Sequence, residues 1–177
     1  MESQSKYLKE SWLHPKVEVR SSPSHGLGLF AKESITRGEV VVIWGGDFVD
    51  TDEAYKAKKD GKAIQRLDDN LWDVFDYETR NEDPSYNHNH SCDPNTWMKD
   101  EVTITARRDI EKDEELTIDY AMFVIDEGYV MPGECTCGSG FCRHKITGQD
   151  WLQKELQERY QGHFSPFLNR KIQALNS

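Results

Sequence analysis

A polar run at residues 87–95, NHNHSCDPN, constrains this chain more than any other stretch. It combines turn-forming residues with imidazoles and a cysteine, and it has almost no apolar side chain. Asn, Asp and Pro are poor in the interiors of both helices and strands, so the run must be a loop. A loop rich in groups that need specific partners is more often functional than a simple connection. By itself, the run also fits a surface turn that starts at Asp93 and Pro94.

Length and composition indicate one folded domain. The 177 residues are enough to bury a core, and 11% aromatic residues argue against disorder, although 36% hydrophobic is low. No apolar run approaches the roughly 18 residues of a membrane span, and the N-terminus lacks a signal-peptide core. We therefore expect a soluble protein of a reducing intracellular compartment, cytoplasm or nucleus, with no membrane association.

The charge balance narrows the class of partner. Net charge is −10, from 32 acidic and 22 basic residues. This disfavours binding to a phosphate backbone, so we expect no direct nucleic-acid contact. It suits a cationic substrate or partner, although most of these charges simply confer solubility. The oligomeric state stays open.

The cysteines are grouped as in a metal site. The chain has four of them, which are Cys92, Cys135, Cys137 and Cys142. The last three have the spacing C-x-C-x4-C, and three thiolates leave a tetrahedral zinc ion one ligand short. Cys92, in the 87–95 loop, is the favoured fourth ligand, and His90 and His144 are alternatives. Pairwise disulfides are the competing interpretation, which a reducing compartment disfavours.

Periodicity predicts a mainly β fold with a helical insert and a helical C-terminus. Alternating or β-branched runs predict strands at residues 16–21, 40–44, 71–77, 101–106 and 115–120. A shift to Lys, Ala, Asp and Glu predicts the insert at 51–66, capped by Thr51 or Asp52 and interrupted by Gly61.

The C-terminal part of the sequence predicts two helices. Thr147 and Asp150 are candidate caps of the first, which carries Leu156 four residues before Tyr160. Ser165 would cap the last helix, which would begin at Pro166. The first 15 residues show no clear period and are interpreted as a tail or a short docking segment.

Two motifs carry a family resemblance. NHSCDPN at residues 89–95, followed by ELTIDY at 115–120, resembles the paired signature of SET-domain lysine methyltransferases. GLGLFA at 26–31 is similar to the N-terminal glycine motif of that family. Residues 135–143 resemble its post-SET zinc segment, which takes its fourth cysteine from the loop position held here by Cys92. The two central motifs are highly specific in this order and at this distance.

The resemblance implies a fold and a domain plan. The SET fold is a set of small curved β-sheets around a pseudoknot. The plan has four parts: residues 1–15 as tail or docking segment, 16–124 as SET domain, 125–146 as post-SET-like zinc segment, and 147–177 as C-terminal helices.

It also implies an activity, namely methyl transfer from S-adenosylmethionine to a lysine ε-amine of a histone or other protein. Tyr120 matches the catalytic tyrosine, whose hydroxyl faces the transferred methyl group. The implied cofactor-binding residues are Gly26, Leu27, Gly28, Leu29, Tyr86, Asn89, His90, Thr136, Cys137 and Phe141. The implied substrate channel consists of Trp44, Ile118, Tyr120, Phe123 and Tyr129. The implied structural zinc ligands are Cys92, Cys135, Cys137 and Cys142.

The chemistry of the reaction fits such a channel. The amine must be neutral to attack, whereas a free lysine titrates near pH 10.4. An apolar, aromatic wall favours the uncharged form by desolvation. Most of the catalysis must come from positioning, since the reaction is an in-line displacement at a sulfonium.

Several positions depart from the family pattern. Tyr86, Asn87 and His88 replace the common Arg-Phe-Ile, so some cofactor contacts can differ. Trp44 stands where tyrosine is frequent. Ile118 stands where many relatives have Phe or Tyr, and its smaller side chain favours the addition of more than one methyl group.

Three other functions compete with a protein-lysine methyltransferase. The substrate could be a polyamine or another small amine, which the acidic charge would also attract. A catalytically silent SET-like module that binds a partner belongs to a different class, and retention of Tyr120, Asn89 and His90 argues against it. The last alternative is a purely structural zinc domain.

Overall fold

The computed structural model describes residues 6–24, 26–80 and 82–177. The strands are β1 (Trp12–Leu13), β2 (Val17–Ser21), β3 (Leu27–Ala31), β4 (Val40–Ile43), β5 (Asp47–Val49), β6 (Ala63–Asp68), β7 (Leu71–Phe75), β8 (Asn89–His90), β9 (Thr96–Met98), β10 (Thr103–Ala106) and β11 (Glu115–Ile118). The helices are α1 (Thr51–Lys59), α2 (Tyr77–Arg80), α3 (Lys154–Arg159) and α4 (Pro166–Leu175). The predicted strands correspond to β2, β4, β7, β10 and β11, each within two residues at either end.

The described strands form three small sheets. Their orders are β1-β4-β10-β9, β2-β3-β11-β8 and β5-β7-β6. Most neighbours are antiparallel, but β8 pairs in parallel with β11, with Asn89 opposite Thr117 and His90 opposite Ile118. This pairing places the 87–95 loop beside the strand that leads to Tyr120. Several small sheets, few helices and a helical C-terminus agree with the SET fold that the resemblance implies.

The core lies between two of these sheets and the C-terminal helices. Leu29, Ile104 and Leu116 are fully buried and belong to one cluster with Tyr160 and Phe164. Burial of an apolar side chain of this size stabilises a fold by about 1.5–3 kcal/mol. The C-terminal helices are therefore part of the core.

The helical insert is shorter than predicted. Helix α1 ends at Lys59, and residues 63–68 form strand β6, which pairs with β7 as a hairpin. Gly61, with φ +88°, follows the end of the helix in a conformation that disfavours other residues. The cap is Asp50, which accepts from the Glu53 N–H at 2.9 Å, so the expected caps Thr51 and Asp52 were wrong.

The cap prediction is confirmed for helix α4 and wrong for helix α3. The Ser165 side chain accepts from the Leu168 N–H, so the predicted cap of α4 is confirmed. Thr147 and Asp150 do not cap α3, which begins at Lys154. Instead, the Thr147 hydroxyl donates to the Asp150 carboxylate at 2.8 Å ahead of a 3-10 turn.

Residues 6–14 pack on the sheet that carries β4. Leu13 lies opposite Val42, and the Gly45 N–H donates to the Ser11 hydroxyl at 2.9 Å. A Cβ at Gly45 would lie 2.2 Å from the Glu10 backbone, so only glycine allows this close approach. The first five residues of the predicted tail lie outside the described part of the chain. None of the described helices is long and apolar enough to cross a membrane.

Candidate active site and cysteine cluster

A cavity of about 900 Å³ lies between the β5-β7-β6 sheet, helix α4 and the residues that follow Tyr120. Every predicted substrate-channel residue lines it, namely Trp44, Ile118, Tyr120, Phe123 and Tyr129. Tyr86 and His88 also line the cavity. The structure thus brings together side chains that are up to 85 positions apart in the sequence (Trp44 to Tyr129).

Edge-to-face aromatic contacts build one wall of this cavity. Phe123 contacts Trp44 and Tyr120, with ring centroids 5.1 and 5.6 Å apart. Such arrangements are favoured over face-to-face stacking and stabilise the relative ring positions. Ile118 is almost fully buried behind them. The wall is therefore apolar and well packed, as the predicted channel requires.

Tyr120 is held at both its backbone and its hydroxyl. Its N–H donates to His90 Nδ1 at 3.2 Å, and its hydroxyl lies 3.4 Å from the His88 carbonyl oxygen. Tyr120 was predicted to end strand β11, but the strand stops at Ile118 and Tyr120 opens a 3-10 turn. Asp119 caps this turn by accepting from the Ala121 N–H. Burial, with a smaller contribution from Tyr129, raises the pKa of Tyr120, so the hydroxyl stays protonated.

The two histidines of the loop are buried and neutral. Burial lowers the pKa of His90 to about 4, although Asp119 acts in the opposite direction. Because His90 Nδ1 accepts a hydrogen bond, its proton resides on Nε2, which lies 3.3 Å from Cys92 Sγ. Burial lowers the pKa of His88 to about 3. His88 Nε2 lies 3.1 Å from the Thr96 hydroxyl, and Nδ1 has no partner within the described residues.

The glycine motif and Asn89 meet on one sheet. Asn89 Nδ2 donates to the Leu27 carbonyl at 2.9 Å and to the Glu115 carboxylate at 2.7 Å. A Cβ on Gly28 would lie 2.2 Å from that carboxylate, so the Glu115 side chain could not keep this position beside any other residue. Sequence reasoning missed Glu115. The available signals were its place in the predicted strand and at the start of the ELTIDY motif.

The remaining predicted cofactor residues occupy other places. Gly26 has φ +51° at the start of the motif, and Leu29 is fully buried in β3. Tyr86 lies 3.5 Å from the Asp73 carboxylate through its hydroxyl. Thr136, Cys137 and Phe141 belong to the cysteine segment, residues 134–143. Phe141 is 52% exposed, and the Arg159 guanidinium lies over its ring, 3.9 Å from the centroid.

The four cysteines form one cluster of free thiols. Their sulfur atoms all lie within 4.8 Å of one another, and Cys92 Sγ is 3.9 Å from Cys135 Sγ. Sulfur atoms around a tetrahedral zinc ion, at about 2.3 Å from the metal, lie about 3.8 Å apart. The donor set therefore fits a metal ion of this kind. The disulfide alternative is wrong, since all four cysteines are unpaired.

The fourth member of the cluster is Cys92 rather than a histidine. Among the described residues, the group that could hold a metal ion contains the cysteines alone. His90 contacts Cys92 from outside the cluster, and His144 is exposed while its carbonyl accepts from the Cys135 N–H. The preference for Cys92 over His90 and His144 agrees with this arrangement.

A buried charge network joins the cluster to the C-terminal helices. Arg143 pairs with Asp119 at 2.7 Å and with Asp150 at 3.0 Å. The Tyr160 hydroxyl lies 3.0 Å from the Asp119 carboxylate and 3.2 Å from the Cys92 carbonyl oxygen. Sequence reasoning missed this network, because opposite charges distant in sequence give no local signal.

Comparison with known proteins identifies the family. The family model described as SET domain matches residues 26–121. The human histone-lysine N-methyltransferase 2B is 36% identical over 140 residues, which cover 72% of this chain and 5% of that protein. Histone-lysine N-methyltransferase trithorax of Drosophila virilis is 33% identical over 149 residues, 77% of this chain and 4% of the relative.

Histone-lysine N-methyltransferase ASHH3 of Arabidopsis thaliana is 31% identical over 144 residues, 74% of this chain and 38% of the relative. The chain therefore spans well under half the length of these curated relatives. The matched residues include the glycine motif, the 87–95 loop and Tyr120. By its sequence match and its fold, this chain belongs to the SET domain family.

Proposed function

We propose that this chain is an S-adenosylmethionine-dependent protein-lysine N-methyltransferase. The observation that carries the proposal is the position of Tyr120, the residue expected to be catalytic, in the wall of an aromatic cavity within a SET domain. The names of the relatives, which are histone-lysine N-methyltransferases, support the same reaction class.

The residues of the cavity supply what the reaction needs from the protein. S-adenosylmethionine, when bound, supplies an electrophilic methyl group on a sulfonium centre. The Tyr120 hydroxyl and the His88 carbonyl, 3.4 Å apart, offer oxygen atoms to polarised C–H bonds, a weak interaction that helps positioning. The rings of Trp44 and Phe123 exclude water from the lysine side chain and favour the neutral amine. Ile118 leaves space beside the amine, so we expect more than one methyl transfer.

We assign the cofactor to the face formed by the glycine motif and the 87–95 loop. Gly26, Gly28 and Leu29 would contact it through backbone atoms, and Asn89 and His90 would hold its amino group and adenine. Thr136, Cys137 and Phe141 would close over the adenine. The partial exposure of Phe141 supports this role, since an accessible aromatic ring can contact a flat ligand. Tyr86 keeps its assignment as a cofactor contact, although it lies beside Asp73.

We also propose that the metal in the cysteine cluster is zinc and that its role is structural. Four thiolates in a closed tetrahedral site are the donor set that structural zinc prefers. A bound ion would fix the cysteine segment to the 87–95 loop. The segment 125–146 would then act as a post-SET element that shapes the cofactor site.

For the substrate we favour a lysine-bearing protein, such as a histone, over a polyamine. The cavity is at the upper end of the range of about 300–1,000 Å³ for small-ligand sites, and it can admit residues on both sides of a lysine. The relatives' names refer to histone lysine and give no support to a polyamine.

The first test is cofactor binding, measured by calorimetry with the purified, metal-loaded protein. Tritium transfer from labelled S-adenosylmethionine should then be followed into histones, total lysate protein and spermidine. We expect binding and label in the protein fractions. Label in spermidine alone would replace the protein substrate with a small amine. Absence of binding would favour the silent partner-binding module or the structural zinc domain instead.

A further inference from the structure

The cavity that holds Tyr120 carries charges of both signs. Asp126 and Glu127 line it close to Tyr129, whose N–H donates to the Asp126 carbonyl at 2.9 Å. Arg66 and Lys171 also line it, and both cations lie over the ring of Phe167, at 5.2 and 5.3 Å from its centroid. The acidic groups suit an incoming lysine. The positive charges of Arg66 and Lys171 beside Phe167 require a separate explanation.

Arg66 is held in position by aromatic rings. Its guanidinium carbon lies over Trp72 at 4.5 Å and over Phe167 at 5.2 Å from the ring centroids. Trp72 is fixed in turn, because its indole N–H donates to the Thr51 hydroxyl at 3.0 Å and its ring contacts Tyr55 edge-on. Cation–π contacts of this kind fix the orientation of the guanidinium. The side chain therefore loses little conformational entropy when it binds a ligand.

No carboxylate within the described residues forms an ion pair with Arg66. The nearby acidic residues Asp68 and Asp69 pair with Arg170, so they are already engaged. Rings over the face of a guanidinium leave the N–H donors in its plane available. A half-buried, oriented arginine without a counter-ion is a prepared site for an anion.

We propose that Arg66 is an anion-binding subsite of the substrate cavity, which selects a peptide with an acidic group close to the target lysine. The chemistry is that of a carboxylate or a phosphoryl group, which a guanidinium binds through two parallel hydrogen bonds. The inference rests on the proposed function, because it needs a lysine peptide in the same cavity as Tyr120. It adds a sequence preference to that function.

A matched peptide series tests the preference. Each peptide carries one lysine, and Glu, phosphoserine, Gln or Lys is placed in turn at each position within four residues of it. Charge-assisted hydrogen bonds predict that kcat/KM is about tenfold higher for the best Glu or phosphoserine peptide than for its Gln counterpart. The Glu and phosphoserine arms distinguish the two sources of the anion.

Variants assign the preference to Arg66. Arg66→Gln should abolish the difference in kcat/KM between Glu and Gln peptides. Arg66→Glu should reverse it in favour of the Lys peptide, and Arg66→Lys should retain part of it. The matched control is Arg108→Gln, which removes an arginine that already pairs with Glu114 and does not line the cavity. It should keep the preference.

Equal kcat/KM for Glu, phosphoserine and Gln peptides in the wild-type enzyme would overturn the subsite. This measurement needs no variant, so it stands even if Arg66→Gln fails to fold. A preference that survives in Arg66→Gln would also overturn it. In both cases methylation of the lysine would persist, so the proposed function would stand. Loss of cofactor binding and of transfer to every peptide would instead refute the proposed function.

Discussion

Arg143 donates two hydrogen bonds to the Asp119 carboxylate, each with a nitrogen-to-oxygen distance of 2.7 Å, and so connects the cysteine segment to the residue before Tyr120. Asp119 is fully buried and the Arg143 side chain is 11% exposed. The Arg143 backbone N–H also donates to Cys92 Sγ at 3.3 Å. Arg143 therefore contacts both the cysteine cluster and Asp119, the residue before the candidate catalytic Tyr120.

Removing Arg143 from its ion pair with Asp119 should destabilise the protein strongly. Arg143→Met would leave the Asp119 carboxylate buried without its main counter-charge, which typically costs about 3–5 kcal/mol. Urea denaturation of the metal-loaded protein measures the free energy of unfolding. The double variant Asp119→Asn with Arg143→Met should recover part of the loss, because the Asp119 charge is then removed and only the Asp150 carboxylate stays buried without Arg143. Equal stability of Arg143→Met and the wild type would contradict this.

Tyr120→Phe should separate turnover from folding. Removing a hydroxyl that positions the reacting groups should lower kcat by about 100-fold or more. The melting temperature and the Kd for S-adenosylmethionine should stay near wild type, because the ring and its contact with Phe123 remain. The matched variant Tyr129→Phe, which removes the same atom elsewhere in the cavity, should cost far less. Similar losses in both variants would argue against a special role for Tyr120.

Cys92→Ser should damage metal binding and cofactor binding together. Cys92 belongs to the cysteine cluster that could hold a metal ion, and it lies two residues after His90, in the loop that we propose for the cofactor. Metal analysis should show a strong loss of bound zinc, and calorimetry should show weaker S-adenosylmethionine binding. Chelation of zinc from the wild type should reproduce both effects. Full cofactor affinity in the metal-free protein would show that the two sites are independent.

Arg159 should act on cofactor affinity through Phe141. Its guanidinium lies over the Phe141 ring and donates to the Cys92 carbonyl at 3.1 Å. Arg159→Gln should raise the KM for S-adenosylmethionine about threefold to tenfold, the range of a cation–π contact, with kcat nearly unchanged. Lys154→Gln, the same charge change on the same helix, should have no such effect. A fall in kcat alone would contradict a role in cofactor binding.

His88 should make stability depend on pH. Burial lowers its pKa from 6.5 to about 3, so between these values the unfolded chain binds more protons than the folded one. The free energy of unfolding should therefore fall as pH decreases below 6.5, by up to about 1.4 kcal/mol per unit from this residue. His88→Leu should reduce that slope in urea denaturation between pH 7 and pH 5. An equal slope in both proteins would show that His88 is not buried in neutral form.

Much of the fold and of the site could be predicted because the signals are local. Alternation of apolar residues determined the strands, since side chains on one face of a strand recur every second residue. The motifs around Asn89 and Tyr120 indicated the family, and the cysteine spacing indicated the cysteine cluster. The C-terminal cap Ser165 is equally local and was confirmed.

Tertiary structure decided what local patterns do not contain. Residues 63–68 form a strand rather than the end of a helix, because β7 offers a partner for pairing. Arg143 contacts Asp119, 24 positions earlier in the sequence, and Arg66 contacts Phe167, about 100 positions later. The spacing of these residues in the sequence predicts neither contact. Composition and periodicity report the propensity of a segment, whereas a buried ion pair or a positioned cation depends on which segments pack together.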